Sequence, residues 1–338
     1  CNSSHLIASP LKFEILAECR TSKCRIRQFF MLLPQQLEEL NCQIILGNTY
    51  HLGNRPGTEI LRKAGGLHKF MNWKRALLTD SGGITEEGVN FKSPIMVMCK
   101  NTDCMLTPER SIQIQNTIGA DIIMQLDDVV KSTQTGPRVT EAMGRTVRWL
   151  DRCLLAHERF DEQSIFPIVQ GGLDPKLRSE CAHELTKRKV NGYAIGGLSG
   201  GESKDTFWKM VHLSTDILPK NKPRVDMYDC VFPTRTARFG CALVRTGQLN
   251  LRQNHIVKDM SQLDESCPCS TCKTYTRAYL HQIVTIETVA CHLLTVHNIA
   301  FQMNLMKDIR ESIKQQKYPE FVQNYMLNVY PDKKYPDG

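Results

Sequence analysis

The chain has 338 residues, of which 41% are hydrophobic and 23% are charged, and these values are ordinary for a globular protein with a sizeable core. Its formal net charge of +8 is a mild basic excess, which permits a polyanionic partner without requiring one. The length and the fourteen mostly scattered cysteines exclude a small secreted disulfide scaffold and indicate a reducing compartment, and no apolar run approaches the roughly 20 residues that span a membrane.

The chain begins at Cys1, with neither an initiator methionine nor a signal-peptide core in its first residues. We therefore expect the sequence to be a fragment, or the product of a gene model, at its N-terminus.

From residue 76 onwards, short apolar runs alternate with longer helical patterns. Because the runs are apolar on both faces, they predict a parallel sheet covered by helices. We predict an α/β fold of the TIM (β/α)8 type; an open doubly wound sheet is the alternative, but no GxGxxG phosphate loop is present. The predicted strands end near Asp80, Asp127, Gln170, Gly197 and Asp229, and the predicted helices span 107–119, 137–160, 174–187 and 205–218.

Polar residues stand at the C-terminal end of each predicted strand, which is the rim where a TIM barrel places its chemistry. Carboxylates and amides there suit a flat heterocycle with several N–H donors. Each residue also has an ordinary structural interpretation: Asp80 in a turn, Asp127 as a helix N-cap beside a solvated Asp128.

Asp229 lies in an otherwise apolar run and is followed by Arg235 and Arg238. It can be interpreted as a nucleophile that attacks an electrophilic carbon, with the arginines binding phosphates. An ion pair between Asp229 and Arg235 is the alternative, and the residues alone do not favour either.

A cysteine cluster follows a predicted hairpin around Thr246–Gly247. The spacing C-x-C-x2-C is typical of a zinc site, and three thiolates with one imidazole complete a tetrahedral, structural zinc site. His281 and His292 are alternatives for the imidazole. The predicted Zn²⁺ ligands are Cys267, Cys269, Cys272 and His297.

Several motifs in one order resemble the tRNA-guanine transglycosylase family, and most of all its eukaryotic, queuine-inserting type. The resemblance runs from about Phe13 to Tyr330. The motifs are ILGNTYHLGNRPG, LLTDSGG, FKSPI, LTPERSIQIQNTIGADIIMQLDD, IVQGGL, YAIGGLSGGE, YDCVFPTRTARFG and CPCSTC with TVHN downstream.

The resemblance implies an enzyme that replaces guanine with queuine at wobble position 34 of tRNAs for Asp, Asn, His and Tyr, which have GUN anticodons. Asp229 matches the nucleophile that forms a covalent ribosyl-enzyme intermediate, and Asp80 matches the proton acceptor. The positions that match base-binding residues are Asp80, Ser81, Gly82, Gly83, Asp127, Gln170 and Gly197. The positions that match an RNA-contacting stretch are Thr234, Arg235, Thr236, Ala237 and Arg238. Cys267, Cys269, Cys272 and His297 match the family's zinc ligands.

The resemblance also implies a domain plan, partners and a location. We expect the transglycosylase barrel over residues 11–318, a zinc-binding subdomain over 255–300 within it, and a C-terminal tail over 319–338. The family's catalytic subunit forms a heterodimer with a homologous accessory subunit. It is cytoplasmic, with a peripheral fraction at the mitochondrial outer membrane.

The resemblance is interrupted at residues 29–40, 79–91 and 222–230, where the chain is shorter than the family pattern. At the second interruption Ile84 stands where the family has a phenylalanine that stacks on the base. The third interruption omits a strand and a helix, so the sequence predicts an incomplete barrel. A second hypothesis is therefore a catalytically impaired isoform or gene-model fragment that acts as a zinc-containing tRNA- or partner-binding subunit.

Overall fold

The computed structural model describes residues 14–19, 32–81, 96–99, 102–223 and 225–332, and for 14–19, 96–99 and 102–105 it describes the backbone alone. The strands are β1 (Glu14–Cys19), β2 (Ile44–Gly47), β3 (Ala76–Thr79), β4 (Met96–Cys99), β5 (Thr102–Met105), β6 (Ile122–Met124), β7 (Ser164–Phe166), β8 (Ile168–Val169), β9 (Ala194–Ile195), β10 (Met227–Cys230), β11 (Cys241–Val244) and β12 (Gly247–Asn250).

The helices are α1 (Pro34–Glu39), α2 (Thr49–Leu52), α3 (Thr58–Ala64), α4 (Leu67–Met71), α5 (Pro108–Ile118), α6 (Pro137–Ala156), α7 (Pro175–Thr186), α8 (Lys204–Ile217), α9 (Phe232–Arg238), α10 (Ser270–Thr274), α11 (Arg277–Val284), α12 (Thr288–Lys314) and α13 (Tyr318–Val329). Within the described residues, no helix is both long and apolar enough to cross a membrane. The chain divides into two compact units, residues 45–225 and residues 1–44 with 226–337.

The unit of residues 45–225 is built on parallel strands. Its sheet has the order β2-β3-β6-β7, in which β3 pairs in parallel with β6 and β6 with β7, and β8 pairs in parallel with β9. Helices connect β5 to β6, β6 to β7 and β8 to β9, as the alternation of apolar runs and helical patterns predicts, whereas β4 and β5 form an antiparallel pair. Asp80, Asp127 and Gln170 each follow the C-terminal end of a strand in this unit.

Helices α5 and α7 begin and end where the local sequence predicts, whereas α6 ends at Ala156 and not at the predicted residue 160. The Thr107 hydroxyl accepts a hydrogen bond from the backbone N–H of Arg110, Pro108 occupies the first turn of α5, and Gly119 ends it with φ of 76°. The Asp174 carboxylate caps α7 in the same way. The predicted apolar face of α6 packs into the core, with Met143 and Leu150 fully buried against α7.

The other unit combines a parallel strand pair, a hairpin and a helical layer. Strand β1 pairs in parallel with β10, which places Asp229 opposite Leu16. Strands β11 and β12 form the predicted antiparallel hairpin, with Val244 opposite Gly247. Helix α12, 27 residues long, packs against α9 and β11.

Two elements of this unit differ from the sequence prediction. The sequence run DMYDCVFPTR, from Asp226 to Arg235, predicts one strand, but β10 ends at Cys230 because Pro233 lies in the first turn of α9, a position where proline is well tolerated. Helix α13 lies in a stretch for which the sequence predicted no helix.

Candidate functional site

Asp80 is held by the segment that follows β2. The side-chain amide of Asn48 donates to Asp80 Oδ2 at 2.6 Å, and the backbone N–H of Thr49 donates to Oδ1 at 2.8 Å. The hydroxyl of Thr49 donates to the backbone carbonyl of Asp80. Asn48 and Thr49 are adjacent in the chain and both buried, so their hydrogen bonds hold the Asp80 carboxylate in one position at the end of β3. The sequence analysis did not identify these two supporting residues, although both lie in the quoted motif ILGNTYHLGNRPG.

Asp127 is the centre of a buried polar cluster. The Ser81 hydroxyl donates to Asp127 Oδ1 at 2.8 Å, and the Gln170 amide donates to Oδ2 at 2.7 Å. Asp127 is 3% exposed, and Ser81 and Gln170 are also buried. Burial raises the pKa of the Asp127 carboxyl, and the hydrogen bonds from Ser81 and Gln170 oppose that rise only in part. The three predicted base-binding residues therefore lie together.

Gly197 lies directly against this cluster. Its φ is 68°, and a Cβ at this position would lie 2.1 Å from Gln170 Oε1. Only glycine satisfies both the backbone angle and the close approach. The predicted sites Gly82 and Gly83, and the replaced position Ile84, lie outside the described residues.

Arg178 connects the two loops that carry Gln170 and Gly197. Its guanidinium is 0% exposed and donates to the carbonyl oxygen of Gly172 at 2.8 Å and to that of Gly196 at 3.2 Å. Burial lowers the pKa of this guanidinium to about 10, so it stays protonated at neutral pH. The sequence analysis missed Arg178, because an arginine on a helix after a glycine pair resembles a solvated residue.

Asp128 is not the solvated neighbour that one interpretation of the sequence proposed. It is buried, Arg138 donates to both of its carboxylate oxygens at 3.0 and 2.6 Å, and Arg145 donates to Oδ2 at 2.6 Å. The adjacent carboxylates thus have different surroundings: Asp128 is neutralised by two arginines, whereas Asp127 accepts hydrogen bonds from the neutral side chains of Ser81 and Gln170.

Asp229 lies on β10 with its side chain exposed. Helix α9, which follows it, contains the predicted RNA-contacting stretch. Arg235 and Arg238 are exposed one turn apart, while Thr236 and Ala237 are buried. The described residues show no ion pair between Asp229 and Arg235, so that structural alternative is not observed.

The four predicted zinc ligands converge. The ligand atoms of Cys267, Cys269, Cys272 and His297 lie within 4.8 Å of one another, and all four residues are buried. His297 Nδ1 is 3.2 Å from Cys272 Sγ and 3.7 Å from Cys269 Sγ. A tetrahedral zinc ion with ordinary bond lengths separates its sulfur and nitrogen ligands by roughly 3.6 Å, so the donor set fits the ion.

The orientation of His297 also fits a metal ligand. Its Nε2 lies 2.8 Å from the carbonyl oxygen of Leu243, which can only accept, so Nε2 carries the proton and Nδ1 keeps its lone pair for the metal. The alternative ligands are used elsewhere: His281 contacts the carbonyl oxygen of Leu251, and His292 contacts Gln36. Of the three histidines considered, His297 is the one that lies with the three cysteines.

The crowded thiols of the cluster shift one another's pKa values. Hydrogen bonding with Cys267 and Cys272 holds the pKa of Cys269 far below the usual value of a thiol. Hydrogen bonding with Cys267 and Cys269 raises the pKa of Cys272, so the cluster pairs a thiolate with a protonated thiol. Because zinc binds thiolates, its binding would release the remaining thiol protons.

Comparison with known proteins agrees with this arrangement. The family profile described as queuine tRNA-ribosyltransferase matches residues 27–225 and 225–331. The chain is 45% identical over 372 positions to the queuine tRNA-ribosyltransferase catalytic subunit of Schizosaccharomyces pombe, covering 93% of this chain and 91% of the relative. It is 49% identical over 331 positions to the subunit of that name from Caenorhabditis elegans, covering 88% of this chain and 81% of the relative.

A bacterial relative extends the match. The queuine tRNA-ribosyltransferase of Bacillus subtilis is 38% identical over 367 positions, covering 94% of this chain and 95% of the relative. The parallel strands, the Cys3His cluster and this match together confirm the prediction of a TIM-barrel-type α/β fold with a zinc-binding region near the C-terminus. The chain belongs to the queuine tRNA-ribosyltransferase family, the tRNA-guanine transglycosylases.

Proposed function

We propose that this chain replaces guanine with queuine at wobble position 34 of tRNAs with GUN anticodons. The observation that carries the proposal is the buried cluster of Ser81, Asp127 and Gln170 against Gly197, in a chain that belongs to this family. A buried carboxylate with neutral partners is an acceptor for the N–H groups of a purine-like base. The flexible glycine backbone allows a flat ring to approach closely.

In the proposed reaction Asp229 is the nucleophile. One of its carboxylate oxygens attacks ribose C1′ of the tRNA, and the bond from C1′ to guanine N9 breaks with its electron pair moving to the base. The leaving base takes a proton from the Asp80 carboxyl. Queuine then loses its N9 proton to Asp80 and attacks C1′, which restores the Asp229 carboxylate and releases the modified tRNA.

The remaining residues bind and orient the substrates in this proposal. Asn48 and Thr49 hold Asp80 in place for both proton transfers. The exposed Arg235 and Arg238, one turn apart on α9, bind phosphates of the tRNA backbone. Zinc, held by the three cysteines and His297, supplies structural stability, since four protein ligands leave no position open for water.

We also propose the domain plan and the assembly that the family resemblance implies. The barrel spans residues 11–318, the zinc-binding subdomain spans 255–300 within it, and the tail spans 319–338. The chain forms a heterodimer with a homologous accessory subunit and lies in the cytoplasm, with a peripheral fraction at the mitochondrial outer membrane. The net charge of +8 supports binding to the polyanionic tRNA.

The test is incorporation of labelled guanine into a GUN-anticodon tRNA by the purified, zinc-loaded chain, assayed with and without the accessory subunit. Asp229→Ala should lower the rate by on the order of 10³-fold or more, because it removes the attacking atom. It should also abolish a tRNA adduct that survives denaturing gel electrophoresis. Asp161→Asn, an exposed carboxylate on the other unit, is the matched control and should leave both readouts unchanged.

The impaired-subunit hypothesis gives the opposite outcome. A folded, zinc-loaded chain that binds tRNA but neither incorporates guanine nor forms an adduct would support it and contradict the proposed function. The identities to relatives named as catalytic subunits do not favour this alternative.

A further inference from the structure

Asn298 follows the zinc ligand His297 on α12 and contacts two other elements of the same unit. It is 0% exposed. Its Oδ1 accepts from the backbone N–H of Leu243 at 2.8 Å, and its Nδ2 donates to the carbonyl oxygens of Pro233 and Cys241, both at 3.0 Å. One amide side chain therefore joins α12 to β11 and to α9.

Leucine 243 connects this amide to the zinc site. Its carbonyl oxygen accepts from His297 Nε2, and its N–H donates to Asn298 Oδ1. Both polar groups of one residue of β11 are thus bonded to consecutive side chains of α12. A zinc ion held by the three cysteines and His297 would fix the imidazole ring, and the ring and the amide together would fix the register of α12 on β11.

The bond from Asn298 to Pro233 extends this connection to the proposed nucleophile. Pro233 lies in the first turn of α9, only four residues after Asp229, and is buried. Helix α9 packs against α12 through this face, while Arg235 and Arg238 point to the exposed side. The start of α9 therefore cannot move away from α12 without breaking a buried hydrogen bond, and with it moves the end of the strand that carries Asp229.

We propose that Asn298 is a positioning residue, which couples the zinc site to the strand end and helix that place Asp229 and the two arginines. The inference rests on the proposed role of Asp229. It assigns to the zinc site an effect on the placement of the nucleophile. Neither side chain of this link touches the substrate; each acts through backbone groups of β11 and α9.

The experiment compares Asn298→Ala and the milder Asn298→Ser with Thr295→Ala. Thr295 is a matched control because it lies on the same helix and is also buried, but its hydroxyl donates only to the Cys291 carbonyl within α12. Zinc content, melting temperature, the KM for tRNA and the rate of adduct formation at saturating tRNA are measured for each variant. Hydrogen exchange of the amides in residues 232–238 is followed in parallel on the zinc-loaded proteins.

Both Asn298 variants should keep one zinc per chain, form adduct about ten- to a hundredfold more slowly, and exchange the α9 amides faster, with Ser less affected than Ala. Their KM for tRNA should change less than about threefold. Thr295→Ala should lower the melting temperature and leave the adduct rate and α9 exchange as in the unmodified chain. This difference between the Asn298 variants and Thr295→Ala distinguishes a positioning role from a general loss of stability.

Three outcomes would overturn the inference: adduct rates within twofold of the unmodified chain, loss of zinc in both Asn298 variants, or an equal slowing by Thr295→Ala. A different result bears on the proposed function itself. If the unmodified, zinc-loaded chain forms no adduct that depends on Asp229, the proposed function fails and this inference fails with it.

Discussion

At the scale of single residues, the adjacent carboxylates Asp127 and Asp128 are both buried but have different hydrogen-bond partners. Asp128 is paired with Arg138 and Arg145, so its charge is compensated within the fold. Asp127 accepts hydrogen bonds from the neutral side chains of Ser81 and Gln170, and burial raises its pKa. A buried carboxylate that accepts from neutral donors costs stability, and this cost is consistent with the base-binding role proposed for Asp127.

The first prediction is that Asp127→Asn stabilises the chain at neutral pH. A carboxyl whose pKa is raised on folding stabilises the folded state below its unfolded pKa, and this contribution is lost as pH rises through the folded pKa. The unfolding free energy of the variant relative to the unmodified chain should therefore increase from pH 4 to pH 8. Chemical denaturation across this range measures it.

The same variant should weaken guanine binding by about ten- to a hundredfold, since a hydrogen bond to a charged acceptor contributes more than one to a neutral amide. Asp128→Asn is the matched contrast and should destabilise the chain at pH 7, because it leaves two half-buried arginines without their carboxylate. Equal effects of the two substitutions on stability would contradict this account.

At the scale of elements, the loop between β9 and α8 packs closely against the side chains of Gln170 and Arg178. Gly197 lies against Gln170, and the buried Arg178 donates to the carbonyl oxygen of Gly196. Gly201, later in the same loop, also has a positive φ, of 114°, but a Cβ there would meet nothing within 4 Å. A side chain at Gly197 would therefore add both backbone strain and a steric clash, whereas a side chain at Gly201 would add backbone strain alone.

The second prediction follows from this pair. Gly197→Ala should raise the KM for guanine at least tenfold, because its methyl group displaces the Gln170 amide from Asp127. Gly201→Ala should destabilise the chain by about 1 kcal/mol through its backbone angle and leave the KM for guanine nearly unchanged. Steady-state exchange kinetics and thermal unfolding measure the two effects, and equal changes in KM would refute the steric explanation.

At the scale of the whole molecule, the Cys3His cluster joins several elements of the unit of residues 1–44 and 226–337. The hairpin, the cysteine loop and α12 meet at Cys267, Cys269, Cys272 and His297. The alignment with the Schizosaccharomyces pombe subunit spans 372 positions, more than the 338 residues of this chain, so the relative carries internal residues that this chain lacks. Because the chain lacks these residues and the contacts they would make, we expect the bound metal to contribute a large part of its folding stability.

The third prediction concerns this metal. Cys272→Ser should lower the zinc content from one ion per chain to a small fraction and lower the melting temperature by several degrees, because binding free energy is folding free energy at such a site. Cys291→Ser, a cysteine outside the cluster, should change neither quantity. Elemental analysis measures the zinc content, and calorimetry measures the melting temperature. Retention of zinc by the Cys272 variant would show that the four residues are not the ligand set.

The sequence by itself determined the features that depend on neighbouring residues. Thr107, Pro108 and Gly119 specify the ends of α5 through local hydrogen bonds and backbone angles. The apolar face of α6 and the spacing of the three cysteines follow from periodicity, and the ordered motifs indicated the family. These features are local or nearly local, so a linear pattern contains them.

Only the tertiary structure decided which distant groups meet. It selected His297 over two other histidines, paired Asp128 with two arginines, and revealed Arg178 and Asn298 as supports of the loops and of α9. In each case the decisive contact joins residues that are far apart in the sequence. The acceptor is often a backbone carbonyl oxygen, which every residue type has. A side-chain pattern cannot identify such a partner, because burial and hydrogen-bond geometry are set by the packing of the complete fold.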